Sequence, residues 1–213
     1  RNRVLAQAST SLDTFPKYLL RNAERFGDRP AMRHKDHGIW QNWSWAQQLD
    51  EVRALAIGLQ DLGLQPGDKV AVVGSNRPRL YWTFAAVQSL AAVPVPVYAD
   101  AVAEEMVYVL DHAGVRFAVV QDQEQVDKLF SFRDEIPALT EIIYDEPRGM
   151  RDYAHEGLRA FADVQAAGRA ALQSDQGRAA RWEEGVRSGS GDDVSIMLYT
   201  SGTTGRSKGV MIK

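Results

Sequence analysis

Four short apolar runs recur between helix-length stretches of this 213-residue chain: Lys69–Val73, Val93–Val97, Phe117–Gln121 and Glu141–Tyr144. The run Val70-Ala71-Val72-Val73 shows no alternation with polar residues. A strand of that composition must be covered on both faces, as strands of parallel sheets are. Pro78 sets φ for the start of a helix running to about Ala92, and further helices are predicted over 103–113 and from Gln123 to Phe132. The resulting order, βαβαβαβ, predicts an α/β fold: a doubly wound, mostly parallel sheet flanked by helices, with right-handed crossovers.

Upstream, Leu12, Phe15, Leu19 and Ala23 recur at helical spacing after Ser11, an N-cap candidate. Ala31 to Arg33 and Ile39 to Trp43 read as two strands around Asp36-His37-Gly38, and Ser44 caps an amphipathic helix that stops near Gly63. Trp40, Trp43 and Trp45 are expected to pack between hairpin and helix, and Trp82 and Tyr98 to lie in the core. Beyond Asp145 the pattern weakens, with helices expected over His155–Gly168 and Ala170–Val186. Ser188-Gly189-Ser190-Gly191 reads as a joint, since its third fingerprint glycine and the helix after it are missing. We therefore divide the chain into an α/β subdomain (1–144), a helical or irregular connection (145–191) and a strand-loop-strand unit (192–213).

That last unit holds Tyr199-Thr200-Ser201-Gly202-Thr203-Thr204-Gly205-Arg206-Ser207-Lys208-Gly209. Glycines let backbone amides converge without Cβ clashes, hydroxyls add adjustable donors, and lysine adds a compact positive charge. This is the inventory of a polyphosphate cradle. It is not a Walker loop: counted from Gly202, the Gly-Lys positions are Ser207-Lys208, and the flanks Val194–Tyr199 and Val210–Ile212 read as strands rather than a helix. The predicted geometry is a hairpin tip binding anions through a nest of amides. A loop this long is uncommon in a hairpin without a ligand.

The 199–209 segment resembles the phosphate-loop signature of the AMP-forming adenylating enzymes, which include acyl-CoA synthetases, luciferases and peptide-synthetase adenylation domains. Ser207 departs from it, since many members carry proline before the lysine. Gly67 to Asn76, Trp82, Ala91 to Tyr98, Ala103-Glu104-Glu105 and Phe117 to Val120 resemble the early blocks of that family, with spacing closest to its long-chain fatty acyl branch. The resemblance runs from about Ser11 to Ile143 and again from about Asp192.

What the resemblance implies is an ATP-dependent ligase that activates a carboxylic acid, a long-chain fatty acid in this branch, as acyl-AMP and transfers it to CoA. Thr200, Ser201, Gly202, Thr203, Thr204, Gly205, Lys208 and Gly209 would hold ATP phosphates, Lys208 would act catalytically, and Thr200 would join the shell of Mg²⁺. The family's remaining catalytic and adenine-binding residues fall beyond Lys213. The chain is therefore expected to be the N-terminal piece of such an enzyme, inactive by itself, weak in ATP binding and prone to self-association through an uncovered sheet edge. Two alternatives stay open: a truncated, non-catalytic nucleotide-binding or interaction module, and an adenylating enzyme for a different carboxylic acid.

Composition narrows the setting. A net charge of −3 gives no basic footprint for nucleic acid, and zero cysteines exclude disulfides and thiolate metal sites. No apolar run reaches a membrane span, so a cytoplasmic location is expected, with peripheral membrane contact left open. His34 and His37 read as surface residues rather than metal ligands, and His112 as a helix-end partner of the dipole. Arg178, Arg181, Glu183, Glu184 and Arg187 read as a solvated helix face.

Overall fold

A five-stranded parallel sheet forms the centre of the computed structural model, which describes residues 11–200 and 207–213. The chain reaches it through helix α1 (Phe15–Phe26), an antiparallel hairpin of β1 (Pro30–Asp36) and β2 (Ile39–Ser44), and helix α2 (Trp45–Asp61). Then β3 (Lys69–Val73), α3 (Pro78–Ser89), β4 (Val93–Val97), α4 (Ala103–Ala113), β5 (Val115–Val120), α5 (Gln123–Ser131) and β6 (Glu141–Tyr144) alternate as predicted. Last come β7 (Leu158–Ala160), α6 (Phe161–Ser174), α7 (Arg178–Ser188) and a second antiparallel hairpin, β8 (Ile196–Thr200) with β9 (Lys208–Ile212).

The sheet runs β4-β3-β5-β6-β7. Its strands are apolar on both sides because both are covered. Val70, Val72, Phe117, Val119 and Ile143 pack with residues of α1, α2, α3, α6 and α7. Their neighbours Ala71, Val73, Ala118, Val120 and Ile142 pack with α4 and α5. The connection from β3 to β4 runs one way across the sheet and that from β4 to β5 the other, so crossovers of one hand must place α3 and α4 on opposite faces, as observed.

Local chemistry explains the helix starts. The Ser44 side chain accepts from the Gln47 N–H while the Gln47 side chain accepts from the Ser44 N–H, a reciprocal capping box. At α1 the cap is Thr14, not Ser11: its hydroxyl accepts from the Lys17 N–H, and Pro16 occupies the first turn. Leu12 thus lies before the helix, and both it and Phe15 stay exposed while Leu19 and Leu20 enter the core. The Lys17 ammonium, on a side chain only 5% exposed, donates to Asp13 at 2.8 Å. That bond holds the Asp13 carboxyl down at about 2. A carboxyl depressed on folding contributes stability above its unfolded value near 4, which is lost as pH falls toward 2. Asp13→Asn should accordingly flatten stability against pH between about 4 and 2; urea midpoints of the two proteins falling in parallel through that window would contradict it.

Several expectations are corrected. The stretch His155–Gly168 is not one helix, because residues 158–160 form β7, parallel to β6 at the sheet edge, and α6 begins only at Phe161. Three residues are too few to display a strand period. The turn into β7 needs Gly157, at φ +74°, where a Cβ would lie 2.2 Å from the Thr140 carbonyl oxygen. The expected Ala170–Val186 helix is interrupted: α6 ends at Ser174, Asp175 accepts from the Gly177 N–H, and α7 starts at Arg178. Tyr98 is 79% exposed rather than core, one residue past the end of β4. Trp40, near the hairpin turn, is also exposed, with Lys35 over its ring, whereas Trp43 and Trp45 pack on the core. The charged face of α7 is not merely solvated: Arg178 pairs with Asp61, Arg181 with Asp175, Arg187 with Glu24 and Glu183 with Arg53.

Candidate phosphate-loop site

The loop rises from a true hairpin. Ile196 pairs with Ile212, Met197 with Met211, Leu198 with Val210, Tyr199 with Gly209 and Thr200 with Lys208. No helix follows Gly209, so the Walker alternative is excluded by the fold. Of the candidate residues, Thr200, Lys208 and Gly209 lie on the paired strands. Thr200 and Lys208 are exposed partners at the last described rung of the hairpin. Lys208 forms no ion pair among the described residues. Ser201, Gly202, Thr203, Thr204 and Gly205 lie outside the described residues.

Gly209 is a glycine for a steric reason. A Cβ there would stand 2.5 Å from Met197 Cε and 3.1 Å from the Tyr199 ring, so the cross-strand tyrosine occupies the missing side-chain volume. Met197 is buried in the layer shared with α4 and α5, and β8 lies against β4. At the other end, the Gln88 side-chain amide donates to the Ser195 carbonyl oxygen at 2.7 Å, tying the start of β8 to α3.

Helix α4 provides a bed that sequence reasoning missed. Glu105, Tyr108 and His112 recur at i, i+3 and i+7, which places them on one helical face. The Tyr108 hydroxyl donates to the Ser207 carbonyl oxygen at 3.1 Å. The Ser207 hydroxyl donates to Glu105 at 3.5 Å, so the residue that departs from the signature has acquired a partner. His112 Nδ1 and the Tyr199 hydroxyl are 2.7 Å apart, and the two rings meet edge-on at 5.8 Å. His112 therefore grips the hairpin as well as ending a helix. Burial, and the nearby Tyr108, push the Tyr199 phenol up, which keeps it neutral and able to share a proton with the imidazole. One helix thus touches β8 and the residue leading into β9, at the foot of the loop. The helical spacing was the available signal; no local rule said what the face would meet.

The other crevice of interest is the switch point of the sheet, between β3 and β5, where the connection leaving β3 runs toward β4 and the one leaving β5 runs the other way, toward β6. There Ser75 donates through its N–H and its hydroxyl to Gln121 Oε1, both at 2.7 Å. A Cβ on Gly74 would meet Leu80 Cδ1 at 2.6 Å and Gln121 Cβ at 2.8 Å. Among the described residues no group of three or more His, Cys, Asp or Glu could hold a metal, and no helix is long and apolar enough to cross a membrane. His34 and His37 have no third ligand there, and His155 stacks on Phe130 at 4.5 Å.

Comparison with known proteins agrees with this architecture. The long-chain-fatty-acid–CoA ligase ACSBG2 of Rattus norvegicus is 29% identical over 202 residues, covering 93% of this chain and 29% of the relative. The long-chain-fatty-acid–CoA ligase FadD15 of Mycobacterium tuberculosis is 27% identical over 178 residues, 82% of this chain and 27% of that protein. A CoA ligase of Rhodococcus jostii, whose acyl group is a dioxo-octahydroindenyl propanoyl unit, is 32% identical over 216 residues, 93% of this chain and 37% of the relative. The chain thus spans about a third or less of the length of these curated relatives. Among solved structures, the anthranilate CoA ligase AuaEII bound to anthranoyl-AMP superposes with a TM-score of 0.75 at 22% identity, covering 96% of this chain and 36% of that one, which speaks to the fold. Residues 19–213 match the AMP-binding enzyme family, and with that match spanning nearly the whole sequence the chain belongs to the AMP-binding enzymes.

Proposed function

We propose that this chain carries the pyrophosphate-gripping part of an AMP-forming acyl-CoA ligase acting on a long-chain fatty acid. The observation that supports it most is the hairpin itself: a glycine- and hydroxyl-rich loop, framed by Thr200 and Lys208, on a member of this family. Adenylation joins a carboxylate to the α-phosphate of ATP and expels pyrophosphate. Negative charge collects on the leaving group, so stabilisation belongs around the β- and γ-phosphates. Backbone amides of Gly202 to Gly205 and Gly209 and the hydroxyls of Ser201, Thr203 and Thr204 suit that task, with Lys208 as counter-charge. The Thr200 hydroxyl is a hard oxygen donor, which fits Mg²⁺, a cation that takes few protein ligands when substrate phosphates supply the rest. Bound there, the ion would neutralise phosphate charge. CoA would then accept the acyl group. A cytoplasmic enzyme working beside membranes, where long-chain acids partition, fits this reading, and the exposed Val210, Met211 and Ile212 of β9 offer a surface for self-association.

The test is exchange of labelled pyrophosphate into ATP by the complete protein with a panel of acids. Exchange dependent on long-chain fatty acids supports the reading. Exchange only with a ring-bearing acid would favour the second one, suggested by the Rhodococcus relative. No exchange with any acid would leave a nucleotide-binding module without catalysis. The α4 bed adds a prediction: His112→Ala, which strips the partner from Tyr199, should raise the KM for ATP about 3- to 10-fold, the equivalent of one hydrogen bond. An unchanged KM would remove His112 from loop positioning.

A further inference from the structure

On the far side of the sheet from α4, a polar cavity of about 530 Å³ opens between the N-terminus of α3, the loop after β6, the first hairpin and α6. Its volume is in the range that holds small ligands, ~300–1,000 Å³. Some of the donors on its lining residues are unpaired. Trp82 lines it at 3% exposure, and its indole N–H has no hydrogen-bond partner. A buried, unsatisfied donor is costly, and native interiors rarely leave one. Arg169 Nη1, on the same wall, is also buried without a partner, while Nη2 of that guanidinium pairs with Glu51 at 2.9 Å. Arg77 caps α3 with its backbone and makes no side-chain cap bond, and neither its guanidinium nor that of Arg148 has a partner among the described residues. Four acids line it as well: Glu51, taken by Arg169, Asp36, which faces His37 at 3.7 Å, and two beside α3. Asp145 takes the Arg79 guanidinium at 2.9 Å, and Glu146 accepts from the Arg148 backbone N–H at 3.2 Å.

We propose that this cavity is an anion site for a small phosphorylated molecule, separate from the phosphate loop. Guanidinium groups match the oxygens of a phosphate bidentately, and an indole N–H can only donate, so the unmet donors call for a ligand rich in acceptors. The phosphate would sit between Arg77, Arg148 and Arg169, with Trp82 donating to one of its oxygens. The remainder of the ligand would face Trp43 and His34, which also line the space.

The indole N–H provides the readout. In proton–nitrogen correlation spectra of the protein, Trp82→Phe identifies the Trp82 indole signal. Inorganic phosphate, pyrophosphate and glucose 6-phosphate are then titrated in, with citrate as a carboxylate control. The expected result is a saturable shift of that signal with the phosphates. Arg77→Ala/Arg148→Ala, which removes two side chains without structural partners, should weaken the response about tenfold or more. Lys208→Ala should leave it intact. No shift with any phosphate, or a shift unaffected by the arginine pair, overturns the proposal. So does a response to citrate alone, which denies the phosphate class, or loss of the response in Lys208→Ala, which places the anion in the loop. Because the reading does not use the 199–209 hairpin, a failure of adenylation would leave this test standing.

Discussion

Lys208→Ala is expected to slow ATP–pyrophosphate exchange by the complete protein about 10- to 100-fold or more, with little change in stability. The stability half follows from position: Lys208 is an exposed residue at the first rung of β9 and has no ion pair among the described residues, so the fold does not depend on its charge. The rate half follows from the chemistry proposed for the loop. A charge-assisted hydrogen bond is worth about 1.5–3 kcal/mol, and a contact that strengthens as pyrophosphate departs acts on the rate. Lys208→Arg separates charge from geometry, because a planar guanidinium cannot follow a moving phosphate as a compact ammonium does; it should recover only part of the loss. Exchange at the wild-type rate in the alanine variant, with its melting temperature unchanged, would take Lys208 out of the reaction.

The largest effect on stability should come from Gly168→Leu, far from the loop. Helices α2 and α6 approach so closely that a Cβ at Gly168 would lie 1.9 Å from the Ala54 carbonyl oxygen and 2.9 Å from the Gly58 nitrogen. The contact is reciprocal, since a Cβ at Gly58 would lie 2.3 Å from the Val164 carbonyl oxygen. These are backbone atoms, which cannot rotate away, so the helices must separate. Separation would loosen the layer in which Leu55 and Leu59 of α2 meet Phe161 and Val164 of α6. Overpacking against side chains commonly costs about 1–3 kcal/mol, and rigid backbone should bring the loss to ~3 kcal/mol or more. For a chain of this size that is a fall in melting temperature of roughly 6–12 °C. Gly185→Ala is the control: a Cβ there meets nothing within 4 Å, so replacing a helical glycine should gain about 0.5–1 kcal/mol. A Gly168→Leu protein melting within 2 °C of wild type would mean that the helices do not cross there.

Legibility varied with the range of the cause. β3, β4 and β6 begin and end where their apolar runs do, and the Ser44 cap was visible because a cap is local chemistry. β7 was not, since three residues at a sheet edge have no period and are held by pairing with β6. Gly168 read as the end of a helix, whereas it lies inside α6, and the reason it is glycine lies in another helix. At the site, the identities in 199–209 carried the proposed chemistry, yet nothing local announced that Tyr108 and His112 would support the hairpin, or that Ser207 would find Glu105.

By itself, then, the order of residues determined the class of fold and the hairpin, and suggested the ligand proposed for its loop, because apolar periodicity, turn chemistry and donor inventory act over a few neighbouring positions. Tertiary structure alone decided which strand closes the sheet, how near α2 and α6 approach, what braces the loop from beneath, and that Trp82 and Arg169 meet around one polar cavity. Those outcomes depend on groups tens of residues apart. Side-chain volume and hydrogen-bonding capacity are properties of single residues, but the partner that uses them is chosen only when the layers pack.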